Sequence, residues 1–112
     1  MILTGDYHTH TPYSHGKNTV AENVARAKEL GLQQIGISDH GFAHPFFGIK
    51  KDKLSALKGD CKAAEDKTGI RVLVGIESNI ISAKGECDLR PEDYDSFDVF
   101  LAGAHVCVKY KD

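Results

Sequence analysis

The chain has no run of about 18 apolar residues, so its sequence excludes a transmembrane helix. It also lacks a basic stretch followed by an apolar core at its start, and no secretory signal is readable. Charge of one sign is absent. Fourteen Lys and Arg stand against sixteen Asp and Glu, a net charge of -2, which gives no electrostatic basis for nucleic-acid binding beyond a local patch. Cysteine is scarce and unpaired in pattern. Cys61, Cys87 and Cys107 are odd in number and far apart, with no Cys-x-x-Cys, so neither a disulfide framework nor a zinc ribbon is expected. A reducing cytoplasm is the natural compartment. No glycine-rich loop precedes a helix in the manner of a phosphate loop, and no Ser-His-Asp or Cys-His arrangement is visible. With 112 residues there is room for one domain, and 41% hydrophobic with 27% charged residues is the balance of a globular chain.

What is present is an alternation of strand and helix patterns. A first strand is expected over Ile2–His8, followed by a polar loop from Thr11 to Asn18. Thr19-Val20-Ala21-Glu22 has the form of a capping box. Val20, Val24, Ala27 and Leu30 then recur at helical spacing, and Gly31 is placed to end the helix in a left-handed conformation. Gln34–Ser38 reads as a second strand, and a loop rich in Gly, Phe and Pro (Gly41–Gly48) leads to a second helix. That helix carries a stripe of Leu54, Leu57, Cys61 and Ala64 and stops at Gly69. Ile70–Ile76 is a mostly apolar strand, as expected of one covered on both faces. Asn79–Leu89 suggests a small hairpin around Ala83-Lys84-Gly85, Pro91 a single helical turn, and Asp98–Ala104 a fourth strand. Such alternation implies a parallel sheet with right-handed crossovers. Four units of this kind amount to about half of a (β/α) barrel, which needs ~250 residues.

Histidine is over-represented, with six in the chain, and its placement is not scattered. In a parallel β/α fold the active site lies at the carboxyl ends of the strands. The first predicted strand ends in His8-Thr9-His10, the second in Asp39-His40, the third in Glu77 and the fourth in His105, while His15 and His44 sit in the loops after the first two. Alternate residues of a strand point to the same side about 6.5–7 Å apart, so His8 and His10 can clamp one ion. Glu77 adds a carboxylate able to bridge two ions, which a neutral imidazole cannot do. A lone His-x-His is a weak signal, and one His at a strand end is usually an ordinary loop residue. Four consecutive strands each ending in a ligand-type side chain are a much stronger one. His44 lies among Phe42, Pro45, Phe46 and Phe47, where a loop packed over the sheet competes with a wall of a substrate pocket. Cys107 is expected to pack, and Lys50, Lys51, Lys53, Lys58 and Lys62 to form a solvated helix face.

These residues fall in ordered motifs: Asp6-Tyr7-His8-Thr9-His10, Ser14-His15, Ile37-Ser38-Asp39-His40-Gly41, Gly75-Ile76-Glu77 and Ala102-Gly103-Ala104-His105. Together they resemble the PHP (polymerase and histidinol phosphatase) family, most closely its small stand-alone bacterial phosphoesterases and the PHP domains of family X DNA polymerases. The resemblance implies an α/β fold, the N-terminal part of a distorted (β/α)7 barrel, with residues 1–112 a single and apparently truncated PHP domain. It implies up to three divalent ions, zinc or else manganese or iron. His8 and His10 would hold one, Glu77 and His105 a second that Glu77 bridges to the first, and His15 and His40 the third. Asp39 and His44 are left supporting or pocket roles. The implied reaction is phosphoester hydrolysis by a metal-bound water, with no protein nucleophile. Histidinol phosphate, other phosphomonoesters and nucleic-acid ends all occur as substrates across the wider family, and the acidic pI and short loops favour a small phosphomonoester here. Family members add further His and Asp-x-His ligands from later strands, so a homo-oligomer or a missing C-terminal half is expected to complete the site. A non-catalytic metal-binding remnant and a nucleic-acid processing module are the competing classes.

Overall fold

The computed structural model describes residues 1–111. Four strands, β1 (Gly5–Thr9), β2 (Gln34–His40), β3 (Arg71–Asn79) and β4 (Val99–Gly103), form one sheet in the order β1-β2-β3-β4, and every neighbouring pair is parallel. Helix α1 (Val20–Glu29) connects β1 to β2, and α2 (Leu54–Thr68) connects β2 to β3. The result is a curled half-barrel, the partial (β/α) barrel expected of the alternation.

Both helices form for the reasons legible in the sequence. The Thr19 hydroxyl accepts the Glu22 amide at 3.2 Å, and the Glu22 carboxylate accepts the Thr19 amide at 3.2 Å. Two otherwise orphaned donors at the start of α1 are thereby satisfied. Val20, Val24 and Ala27 are buried, but Leu30 is 60% exposed, so the apolar face ends one turn earlier than its spacing suggests. Gly31 follows at φ 78° and Gly69 ends α2 at φ 80°, both in the left-handed region that glycine adopts without strain. Leu57, Cys61 and Ala64 turn the buried face of α2 toward Ile35, Ile37, Val72 and Ile76 of the sheet, with Phe97 and Ile49 closing the core. Burial pushes the Cys61 thiol up to about 12, which leaves it an inert packing group.

The strands differ from expectation at their ends, and each difference has a cause. β1 begins at Gly5 rather than Ile2 because β2 offers partners only from Gln34, and Met1, Ile2 and Leu3 are exposed. β2 runs two residues past Ser38 because its ladder continues through Asp39↔Ile76 and His40↔Glu77, and β3 three past Ile76 because Ser78 and Asn79 pair with Ala102 and Gly103 of β4. The expected hairpin is reduced to one antiparallel bridge, Ile80↔Cys87. The Ser82 hydroxyl accepts the amides of Lys84 and Glu86, so a side chain takes the place of a second strand. Pro91 opens a 3-10 helix over Pro91–Ser96. Cys107 does not pack: it is exposed, at φ 68°. Among the described residues no helix is long and apolar enough to cross a membrane.

Candidate metal centre

The inner face of the sheet is built by alternation. Ladder pairs Ser38↔Gly75 and His40↔Glu77 place small residues beneath and ligand-type residues above, at the carboxyl rim. Gly75 is obligatory there, since Ser38 Oγ and the Ile37 carbonyl occupy the space a Cβ would need. At β1 the register slips: Asp6 pairs with Ile35 but Thr9 with Ile37, so one extra residue is accommodated in β1. A bulge of this kind re-aims side chains. Ser38 Oγ donates to the Tyr7 carbonyl at 2.7 Å and Thr9 Oγ1 to the Gly36 carbonyl at 2.7 Å, pinning the bulged segment to β2. His8 and His10 both reach the rim beyond it.

Glu77 is the hub. Its Oε2 is hydrogen-bonded to His8 Nε2 and lies 3.2 Å from His10 Nε2, while its Oε1 lies 2.6 Å from His105 Nε2. The two oxygens of one carboxylate thus face different imidazoles. His40 Nε2 meets His15 Nε2 at 2.9 Å, and the His40 ring stacks on His10 at 4.7 Å between centroids. Among the described residues three groups have ligand atoms within 4.8 Å of one another: His8, His10 and Glu77; His40, Glu77 and His105; and His10, His15 and His40. All six candidate residues of the sequence reading therefore converge. His10, His40 and Glu77 each belong to two groups; the sharing of Glu77 was expected of a bridging carboxylate, that of His10 and His40 was not.

The chemistry of this donor set fits divalent ions. Burial lowers the pKa of His10, and that of His40 to about 4, against the pull of the Glu77 charge, so these rings are neutral near pH 7 with lone pairs to give. Burial pushes the Glu77 carboxyl up, but hydrogen bonds with His105 and His8 outweigh it and hold it below the usual carboxylate range. Nδ1 of His10, His40 and His105 is buried with no hydrogen-bond partner. The fit rests on the other ring nitrogen: Nε2 of His8, His10 and His105 faces the Glu77 carboxylate, and Nε2 of His40 faces that of His15.

Asp39 and His44 stand beside these groups rather than in them. Asp39 is on the opposite side of β2, 1% exposed, and its carboxylate accepts the Thr11 amide at 2.7 Å, the Thr11 hydroxyl at 2.7 Å and the Ser14 hydroxyl at 2.6 Å. It fixes the loop that brings His15 onto His40. Gly16 completes that turn against the His10 carbonyl, where a Cβ would collide. His44 is buried, and its Nδ1 accepts the amides of Phe46 and Phe47. Asp88 was not singled out by sequence. Its carboxylate accepts the Asn79 amide at 2.8 Å, the Asn79 side-chain amide at 2.7 Å and the Ala43 amide at 2.8 Å, tying the end of β3 to the loop after β2. Its partners lie nine and forty-five residues away, a separation that leaves no periodic signal.

Fold and cluster together define a curled β/α half-barrel with a donor site of imidazoles and one shared carboxylate at its carboxyl rim. The chain belongs to the PHP domain family, whose model matches residues 6–111. A probable phosphatase of Clostridium botulinum strain Hall is 35% identical over 112 residues, 93% of this chain and 42% of the relative. One from Thermoanaerobacter sp. strain X514 is 33% identical over 120 aligned positions, 100% of this chain and 45% of the relative. The probable phosphatase YcdX of Escherichia fergusonii is 32% identical over 106 residues, 89% of this chain and 40% of the relative. The chain thus spans less than half the length of these relatives.

Proposed function

We propose that this chain carries the N-terminal share of a metal-dependent phosphoesterase site acting on small phosphomonoesters. The observation that carries the reading is Glu77, one carboxylate whose two oxygens face separate imidazole sets at the carboxyl ends of the strands. In this reading His8, His10 and Glu77 would hold one ion, Glu77 and His105 a second, and His15 and His40 a third, of zinc, manganese or iron. Such a site, when loaded, would supply Lewis-acid chemistry that activates water near neutral pH and offsets charge on the phosphoryl oxygens. The protein's own part is positional. Glu77 brings negative charge between two cations that would otherwise repel, and the neutral His10 and His40 present lone pairs without prior loss of a proton. Asp39 and Asp88 hold the two rim loops in place. The names of the relatives as probable phosphatases support the reaction class. Three free cysteines suit a reducing cytoplasm, and a second copy or further chain would add the ligands that complete the coordination.

Hydrolysis of p-nitrophenyl phosphate tests the reading. Weak turnover that requires added manganese or zinc is expected, because ions with few protein ligands position their water poorly, and misplacement costs about 100-fold in rate. Glu77→Gln keeps the size and removes the charge. It should abolish turnover while the circular dichroism spectrum is retained. Equal rates for Glu77→Gln and the parent would overturn the shared-carboxylate mechanism.

A further inference from the structure

The loop between β2 and α2 is closed on itself. Gly41 donates its amide to the Glu77 carbonyl at 2.8 Å, Gly48 to the His44 carbonyl at 3.1 Å, and Ile49 to the His40 carbonyl at 2.9 Å. The buried His44 ring fills its centre, with Nδ1 accepting the Phe46 amide at 3.2 Å and the Phe47 amide at 3.0 Å. Gly48 has no space for a Cβ, which would lie 2.5 Å from the Gly41 carbonyl oxygen. A loop held this firmly has no freedom to fold its apolar side chains inward. Phe42 packs near Phe97, yet Phe46 is 73% exposed and Phe47 43% exposed. Phe47 stands at the rim of the candidate metal centre, and Phe46 lies next to it in sequence, against His44. The Phe47 ring lies 5.0 Å from His15 and 6.5 Å from His40, and Phe46 lies 6.4 Å from His44, between centroids.

Single exposed apolar residues are ordinary on a surface. Two adjacent phenyl rings, backed by a rigid hydrogen-bonded loop and placed beside the groups that would hold a phosphoryl anion, are preorganised for contact with something flat and apolar. We propose that Phe46 and Phe47 form the subsite for the organic half of the ester, and that the preferred substrates carry a planar ring on the oxygen side of the phosphate. This rests on the phosphoesterase reading, which places the phosphoryl group at the imidazole–carboxylate cluster. With that group anchored, the ester oxygen projects toward the rim, and a ring attached there stacks against Phe47 with Phe46 at its edge. A polyol ester would set hydroxyl groups against the same rings and gain nothing from them.

Phenylphosphonate and methylphosphonate share one headgroup, cannot be hydrolysed at phosphorus–carbon by this chemistry, and differ only in the ring. Calorimetric titration of each into the manganese-loaded chain should show phenylphosphonate binding about ten-fold tighter, in the range of one well-placed aromatic contact. In Phe47→Ala the difference should shrink to about two-fold or less, while methylphosphonate affinity stays as in the parent and so reports an intact fold. Equal binding of the two phosphonates by the parent would overturn the ring subsite and leave the phosphoesterase reading standing. A phenyl preference that survives in the double variant Phe46→Ala/Phe47→Ala would overturn the assignment to these residues. Failure of both phosphonates to bind would remove the anion site itself, and with it both proposals.

Discussion

Replacing Asp39 by alanine should unfold the His15 loop before it touches any other part of the candidate site. The carboxylate is 1% exposed and is the acceptor for three donors: the Thr11 amide, the Thr11 hydroxyl and the Ser14 hydroxyl. Thr11 is fully buried, so its two donors cannot turn to water when Asp39 is removed. Each stranded buried donor costs about 1–3 kcal/mol, and the half-buried Ser14 hydroxyl adds little because it can rotate outward. The expected loss is about 2–6 kcal/mol, a large part of the about 5–15 kcal/mol that holds a domain folded. At about 4 °C per kcal/mol for a domain of this size, the thermal midpoint should fall by about 8–24 °C. Asp39→Asn keeps one carbonyl oxygen for the Thr11 amide and should lose only about 1–2 kcal/mol. Thr11→Val combined with Asp39→Ala should cost less than the sum of the two, since they share a bond. Thermal and urea melts followed by far-ultraviolet circular dichroism give these numbers directly. An Asp39→Ala midpoint within about 3 °C of the parent would refute the claim that this carboxylate fixes the loop.

Acidification of the ion-free protein should destabilise it. His40 has its pKa lowered by burial to about 4, and His10 is lowered as well, so between about pH 6.5 and 4 the unfolded chain binds more protons than the folded one. Stability is then highest above pH 6.5 and falls as pH drops through that window. Glu77, held below its ordinary range, adds a further loss at lower pH, as it is protonated in the folded state. A melting midpoint that stays level or rises from pH 7 to pH 5 would contradict this. His8→Ala should lower bound metal, measured by elemental analysis after dialysis, more than His44→Ala does. His8 lies in a three-ligand group, whereas the Nδ1 of His44 is taken by two backbone amides. Equal loss would erase the distinction between ligand and loop histidine. Leu57→Ala, at a position 0% exposed under the sheet, should cost about 2–5 kcal/mol in urea melts with an unchanged slope; a cost below about 1 kcal/mol would mean that α2 is not anchored there.

The helices were readable because their signals are local. A capping box and an i, i+3, i+4 stripe are complete within a dozen residues, and the two glycines at φ 78° and 80° mark the stops. Strand ends were less readable, since an apolar run ends where apolar residues end, whereas a ladder ends where pairing ends. Asp39, His40, Glu77, Ser78 and Asn79 continue β2 and β3 as polar residues held by hydrogen bonds at the rim, although Nδ1 of His40 and Oδ1 of Asn79 have no partner. Leu30 and Cys107 were misjudged for the opposite reason: apolar character at the right spacing does not bury a residue when no element lies over it.

The site divides along the same line. Which residues the rim brings together was legible, because chemistry at successive strand ends is a property of position in sequence. How they combine was not, because it depends on register. The pairing His40↔Glu77 sets an imidazole beside the carboxylate, and the extra residue between Asp6 and Thr9 sets His8 and His10 against the same Glu77 oxygen. Neither follows from spacing along one strand. The loops that hold the rim depend on Asp39 and Asp88, whose partners are up to forty-five residues distant. A carboxylate that binds an ion and one that braces a loop look alike in sequence. What separates Glu77 from Asp39 and Asp88 is its company: Glu77 faces imidazole nitrogens, while the other two accept amide and hydroxyl hydrogens that already satisfy them. The same distinction predicts opposite responses to chelation. Removing divalent ions should leave the Asp39 and Asp88 braces in place and free Glu77 with its histidines. Amide exchange should therefore rise at the rim residues around His8, His15 and His105 and stay slow at Thr11, Ala43 and Asn79. Uniform acceleration at all six positions would mean that the braces depend on the ions and that the two kinds of carboxylate are not separable.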